Sequence, residues 1–178
     1  MDIEKSFRIT APQSEVWEFI TSAEKVATCL PGVEEVHVQS PGQYTGVMKI
    51  KVGPIRTSIK ADVAEIEQRA PEFVSYSMKG EEGGRASRLT AETRLTLTAV
   101  SSEQTDVEFT SHAVIVGRLG KFAGGVMNKL ADSMSEQFIA SLRLQLEPQA
   151  ELPVEPVRTG LWARFVAFLQ RLFGFGQE

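Results

Sequence analysis

The sequence predicts an α+β fold: a curved antiparallel sheet of about seven strands around a long C-terminal helix, with a short amphipathic helix tethered beyond it. Three observations predict it. Most of the chain between Val33 and Ile115 alternates apolar and polar residues with the period of two that sends neighbouring side chains to opposite faces of a strand. Between Leu119 and Leu146 the period changes to steps of three and four. Leu119, Phe122, Val126, Leu130, Met134, Phe138 and Leu142 share one stripe, and Lys121, Asn128, Lys129, Asp132, Ser135 and Glu136 fall elsewhere around the turn. A single sheet with one apolar face needs a cover, and this helix is long enough to be it.

Ile3, Phe7 and Ile9 alternate with Asp2, Glu4, Ser6, Arg8 and Thr10, a half-buried first strand with Lys5 the one mismatch on its apolar side. Pro12 suits the first turn of a helix, and Val16, Trp17, Phe19 and Ile20 supply its apolar face. A second short helix is expected from Ser22 to Thr28, ended by Leu30-Pro31-Gly32, because proline cannot continue it and glycine permits the turn. Six strands follow. Val36 and Val38 turn at Ser40-Pro41-Gly42 into Tyr44, Met48, Ile50 and Val52, and Gly53-Pro54 leads into Ile55, Thr57, Ile59, Ala61 and Val63. The turn Arg69-Ala70-Pro71-Glu72 precedes Val74, Tyr76 and Met78, and Gly80-Glu81-Glu82-Gly83-Gly84 reads as a loose hairpin tip. Leu89, Ala91, Thr93, Leu95, Leu97 and Ala99 face inward next, then Val107, Phe109, Ser111, Ala113 and Ile115. In the long helix the pair Gly124-Gly125 lowers helix propensity near the start.

With 178 residues, 42% of them hydrophobic, the chain suits one domain with a real core plus an appendage. A net charge of -4 and a pI near 5.4 argue against a nucleic-acid partner, which calls for a basic stripe. The single cysteine, Cys29, excludes an internal disulfide, and no stretch has zinc-ligand spacing. The first residues are charged and alternating, unlike a secretory signal, and no apolar run approaches the ~20 residues that span a bilayer. These features predict a cytoplasmic chain.

The order of elements resembles the helix-grip fold of the START and SRPBCC superfamily. Phe7-Arg8-Ile9-Thr10-Ala11-Pro12 with Val16-Trp17, then Cys29-Leu30-Pro31-Gly32-Val33, then Gly117-Arg118-Leu119-Gly120 before the long helix, resemble the carbon monoxide dehydrogenase CoxG family over about residues 1 to 146. That resemblance implies a non-catalytic accessory protein of a carbon monoxide dehydrogenase or a related molybdenum hydroxylase. It further implies a bound quinone-like lipid, menaquinone or ubiquinone, with no covalent cofactor, and a peripheral place on the inner face of the cell membrane.

The inward register is almost free of charge after residue 33, so an apolar ligand is expected there, and the helix above it either closes a core or roofs a cavity. The lining expected of a cavity is Tyr44, Met48, Ile50, Thr57, Ile59, Tyr76, Met78, Thr93, Phe109 and Ser111 from the strands, with Phe122, Val126, Met127, Leu130 and Met134 from the helix. Tyr44, Thr57, Tyr76, Thr93 and Ser111 are the neutral polar groups that could orient the carbonyls of an apolar ligand, although any one of them serves equally as a satisfied core hydroxyl. Acid–base chemistry wants an inward His, Asp or Glu, and the pattern places none; His37 and His112 fall on the outward register. Cys29 reads as packing under the Leu-Pro-Gly corner rather than as a nucleophile. Gly117-Arg118-Leu119-Gly120-Lys121 lacks phosphate-loop spacing and reads as a turn.

Residues 147–160 are proline-spaced and polar, a linker of about 40 Å at ~3.1 Å per residue. Residues 161–178 contain an amphipathic helix with Trp162, Phe165, Phe168, Leu169, Leu172 and Phe173 as apolar contacts and Arg164 and Arg171 on the other side. This pattern fits an in-plane membrane helix, or a helix docked on its own domain or on a partner groove. The rival readings for the whole chain are a START-like hydratase, cyclase or lyase, and a docking scaffold without a ligand.

Overall fold

The computed structural model describes residues 1–122 and 124–147. The linker beyond Glu147 and the amphipathic tail expected at 161–178, with its eight membrane-facing residues, lie outside the described residues.

The elements follow the hydrophobic periodicity. Strand β1 (Asp2–Ile9) leads to helices α1 (Gln13–Ile20) and α2 (Ala23–Cys29), then to β2 (Val33–Ser40), β3 (Gln43–Val52), β4 (Ile55–Arg69), β5 (Phe73–Glu82), β6 (Ser87–Ser101), β7 (Gln104–Gly117) and helix α3 (Gly125–Leu146). The seven strands form one antiparallel sheet in the order β1-β7-β6-β5-β4-β3-β2, so β1 closes onto the last strand while the other neighbours are joined by hairpins. The corner after α2 depends on Gly32, whose φ of 84° is open to glycine and where a Cβ would collide with the Lys49 carbonyl. The Gly32 carbonyl in turn accepts from the Lys49 amide at 2.8 Å, fixing the corner against β3.

Four details depart from the sequence reading. The long helix begins at Gly125, not Leu119; residues Leu119–Phe122 make a separate 3-10 turn, and Gly124, at φ 102°, is the break between them. The helix stripe is rotated accordingly, so Val126 is exposed while Met127, Ile139 and Leu142 are buried. Val38 and Ala99 also face solvent, each beside a register shift in its hairpin. Lastly, β5 runs on through the expected hairpin tip to Glu82, which turns this residue inward.

The concave face carries two separate dry clusters. At one end α1, α2 and the last turns of α3 cover Ile9, Val74, Leu97 and Val107, with Val16, Phe19, Ile20, Cys29 and Leu142 in the same cluster. Each such side chain, removed from water, contributes about 1.5–3 kcal/mol. At the other end Val52, Ile59, Leu119 and Met127 are joined by Ile50, Ile55, Ile115, Phe122 and Leu130.

Candidate functional site

Between the two clusters lies a band of the concave face whose residues belong to the buried set of neither, although Tyr76 also packs against the larger one. Cross-strand pairing defines its rows, because residues directly opposite in an antiparallel pair point to the same side. One row runs Ile3, Ser111, Thr93, Tyr76 and Glu65; the next runs Ala113, Ala91, Met78, Val63 and Tyr44; a third is lined by the small residues Gly80, Ala61 and Gly46. Tyr44, Ala61, Val63, Tyr76, Met78 and Thr93 are only partly buried, as is Met134 of α3, which stands between Leu130 of one cluster and Phe138 of the other. We refer to this partly buried band, with its apolar side chains and the small residues in its floor, as the groove.

The strand residues expected to line a cavity, Tyr44, Met48, Ile50, Thr57, Ile59, Tyr76, Met78, Thr93, Phe109 and Ser111, do share the concave side. They do not converge on one space. Ile50, Ile59, Phe122, Met127 and Leu130 belong to the dry cluster at the hairpin end, where Ile50, Ile59, Leu89, Ile115, Leu119 and Met127 enclose a cavity of about 30 Å³. That volume suits one or two waters, not a ring. Val126 points away from it altogether.

The polar groups are organised more than the alternation suggested. Thr93 and Ser111 share a hydrogen bond of 3.0 Å, either hydroxyl donating. Tyr76 stands opposite Thr93 on one side and Glu65 on the other. Burial, with the nearby Tyr44 and Glu65 adding to it, pushes the Tyr76 phenol well above its ordinary pKa, so its hydroxyl keeps its proton. Lys5, the mismatch of β1, points inward and reaches α3, with Nζ 3.1 Å from Asp132 Oδ1 and 3.4 Å from Glu136 Oε1. The charge is thus matched by two carboxylates one helical turn apart, and α3 is pinned to the edge of the groove.

Two inward acids contradict the expectation of an uncharged interior. Glu65 continues the inward series Ile55 to Val63 by one more step, so the alternation was enough to find it, whereas Glu82 is masked by the two glycines after it, which imitate a turn. Glu82 is 1% exposed; its carboxylate pairs with Arg118 and accepts from Ser87 Oγ at 2.6 Å. The Leu119 amide donates to the same Ser87 oxygen at 2.9 Å. Arg118, then Ser87 and Thr57, hold the Glu82 carboxyl below its usual range despite its burial. The segment from Gly117 to Gly120 is therefore a latch between the β5–β6 hairpin and α3, and Gly117, at φ 88°, leaves room for the Ala86 carbonyl.

His37 and His112 are outward as expected; His112 Nδ1 lies 2.6 Å from Asp2 Oδ1 on the convex face. Cys29 is buried among apolar neighbours. No group of three metal-ligating side chains occurs among the described residues, and none of the described helices is long and apolar enough to cross a membrane.

A sheet of seven antiparallel strands gripping a C-terminal helix defines the helix-grip fold of the START superfamily. Solved structures agree. A START superfamily protein from Mycobacterium smegmatis superposes with a TM-score of 0.65 at 13% identity over 82% of this chain and 97% of that one. A conserved protein from Geobacillus kaustophilus gives 0.73 at 18% identity over 82% and 94%, and a protein from Rhizobium leguminosarum 0.60 at 16% over 84% and 95%. The chain belongs to the carbon monoxide dehydrogenase CoxG family, whose model matches residues 6–147. No curated protein matches the chain. Family and fold together support a role associated with carbon monoxide dehydrogenase or with ligand binding.

Proposed function

We propose that the chain is a non-catalytic accessory protein of a carbon monoxide dehydrogenase, or of a related molybdenum hydroxylase, that holds a quinone-like lipid and links the enzyme to the cytoplasmic membrane. The observation that carries the ligand part is the divided core: two dry clusters flank a partly exposed band whose floor is made of Ala and Gly and crossed by one polar row. A ring sits in that band, where Thr93, Ser111 and Tyr76 meet its polar edge, and the apolar tail runs along Met78, Val63 and Met134. The partner enzyme follows from the family. The membrane link rests on the residues of the tail, Trp162 to Phe173, whose bulky apolar face and two arginines suit an interfacial helix.

Extraction of the purified full chain with organic solvent, followed by mass spectrometry, tests the ligand. A stoichiometric prenylated quinone is the expected result; an empty extract from a chain that also fails to take up added quinone leaves a docking scaffold. Liposome flotation tests the tail. Binding is expected to require anionic lipid, to weaken with salt, and to disappear on truncation after Val157. Flotation of the truncated chain equal to that of the full one would move the membrane contact to the grip domain.

A further inference from the structure

The polar row that crosses the groove ends on a carboxylate. Glu65 lies directly opposite Tyr76 on β5 and two residues from Val63, which pairs with Met78; by the alternation of β4 it therefore shares the concave face with them. The regular pairing is interrupted just after it by a register shift between Glu65 and Glu67, where Ile66 stands 60% exposed, and resumes at Glu67 opposite Ser75. Glu65 is partly buried, and among the described residues its side chain has no hydrogen-bond or ion-pair partner, unlike Glu82 at the other end of the face. An ionised carboxylate accepts hydrogen bonds and cannot donate them, whereas the hydroxyls of Tyr76, Thr93 and Ser111 can do either. The row thus has one fixed polarity at one end and adaptable groups along the rest.

Resting on the ligand reading above, we propose that Glu65 makes the groove select the hydroxyl-bearing, reduced form of a quinone-like ligand over its carbonyl form. A hydroquinone oxygen donates a charge-assisted bond to the carboxylate, while a quinone carbonyl presents lone pairs to it and gains nothing. The Tyr76 hydroxyl serves both forms, accepting from one and donating to the other. The chain then retains reduced ligand and releases oxidised ligand more readily.

The test uses the full chain with decylubiquinone and, under anaerobic conditions, decylubiquinol, with tryptophan fluorescence or calorimetry as readout. The native chain is expected to bind the hydroquinone about tenfold more tightly, the scale of one hydrogen bond to a charged acceptor. Glu65→Gln, close in shape but able to donate, is expected to bring the two affinities within about twofold. Tyr76→Phe is expected to weaken both forms alike and to leave their ratio standing, which also guards against a Glu65→Gln chain that misfolds. Equal binding of both forms by the native chain, or a preference that survives Glu65→Gln, overturns the selection while the ligand reading stands. Failure of either form to bind the native chain overturns the ligand reading and the selection together.

Discussion

The two ends of the concave face are built on different principles. At the helix-pair end, α1, α2 and the last turns of α3 bury an all-apolar cluster in which Ile9, Val16, Val74, Val107 and Leu142 are fully excluded from water. At the hairpin end a smaller cluster is completed by a buried carboxylate, Glu82, held by Arg118, Ser87 and Thr57. An apolar cluster stabilises through area and tolerates small shifts, whereas a buried ion pair is costly to desolvate and stabilises only while every partner stays in place. The first end is suited to hold the fold together. The second is suited to fix one position for the start of α3, the end of the roof that borders the groove.

Three substitutions separate these principles, in descending order of effect. Leu142→Ala, at a fully buried site of the larger cluster, is expected to cost about 3–5 kcal/mol in denaturant unfolding. A loss below about 2 kcal/mol would mean that the larger cluster is not the anchor of the fold.

Arg118→Ala is expected to cost about 3 kcal/mol, because it strips a buried carboxylate of its charged partner; Arg118 is itself half exposed, so water recovers part of the loss. The pH dependence sharpens this. Pairing lowers the Glu82 pKa in the folded chain from an ordinary value of 4.5, so its stabilisation is complete above that value and is lost as the pH falls through the lower folded one. Native protein should therefore lose stability as the pH falls below 4.5, and the Arg118→Ala chain should lose distinctly less over the same range. Parallel curves would show that the pair contributes nothing to folding.

Ala61→Leu gives the smallest effect. Ala61 is partly exposed between Gly46 and Gly80 in the groove floor, so the larger side chain is expected to change stability by less than about 1 kcal/mol, whereas overpacking a closed core costs about 1–3 kcal/mol. The same substitution is expected to weaken uptake of added quinone. A marked fall in stability with unchanged uptake would close the groove and favour the scaffold reading.

Much of this was legible in the residues. Alternation over Ile3 to Ile9 and again from Val33 to Ile115 marked every strand, and the proline and glycine turns at Ser40-Pro41-Gly42, Gly53-Pro54 and Arg69-Ala70-Pro71-Glu72 separated three pairs of them to within a residue or two. The Leu-Pro-Gly-Val corner and the Gly117-Arg118-Leu119-Gly120 segment carried the family, and both have a physical reason in the folded chain: each contains a glycine at positive φ against a backbone carbonyl, that of Lys49 in β3 for Gly32 and that of Ala86 in the turn before β6 for Gly117. A local periodicity suffices for such features because backbone geometry and burial repeat along the chain with fixed steps.

What the sequence by itself determined, then, is the set of elements, the face that each strand buries and the identity of the covering helix. The tertiary structure alone decided which inward residues meet. Periodicity assigned Thr93, Ser111, Tyr76 and Ile59 to one side of a sheet, but it could not say that the first three lie on one row and the fourth in a separate cluster, because register is set by hairpin geometry and bulges. It could not distinguish Glu82 in a strand from Glu82 in a turn, since its fate depends on Arg118, 36 residues away. Nor could it place the start of α3, where Gly124 ends one helical segment before the next begins and turns Met127, not Val126, to the core. Long-range contacts carry no period, and it is these contacts that divide the core in two and leave the groove between its halves.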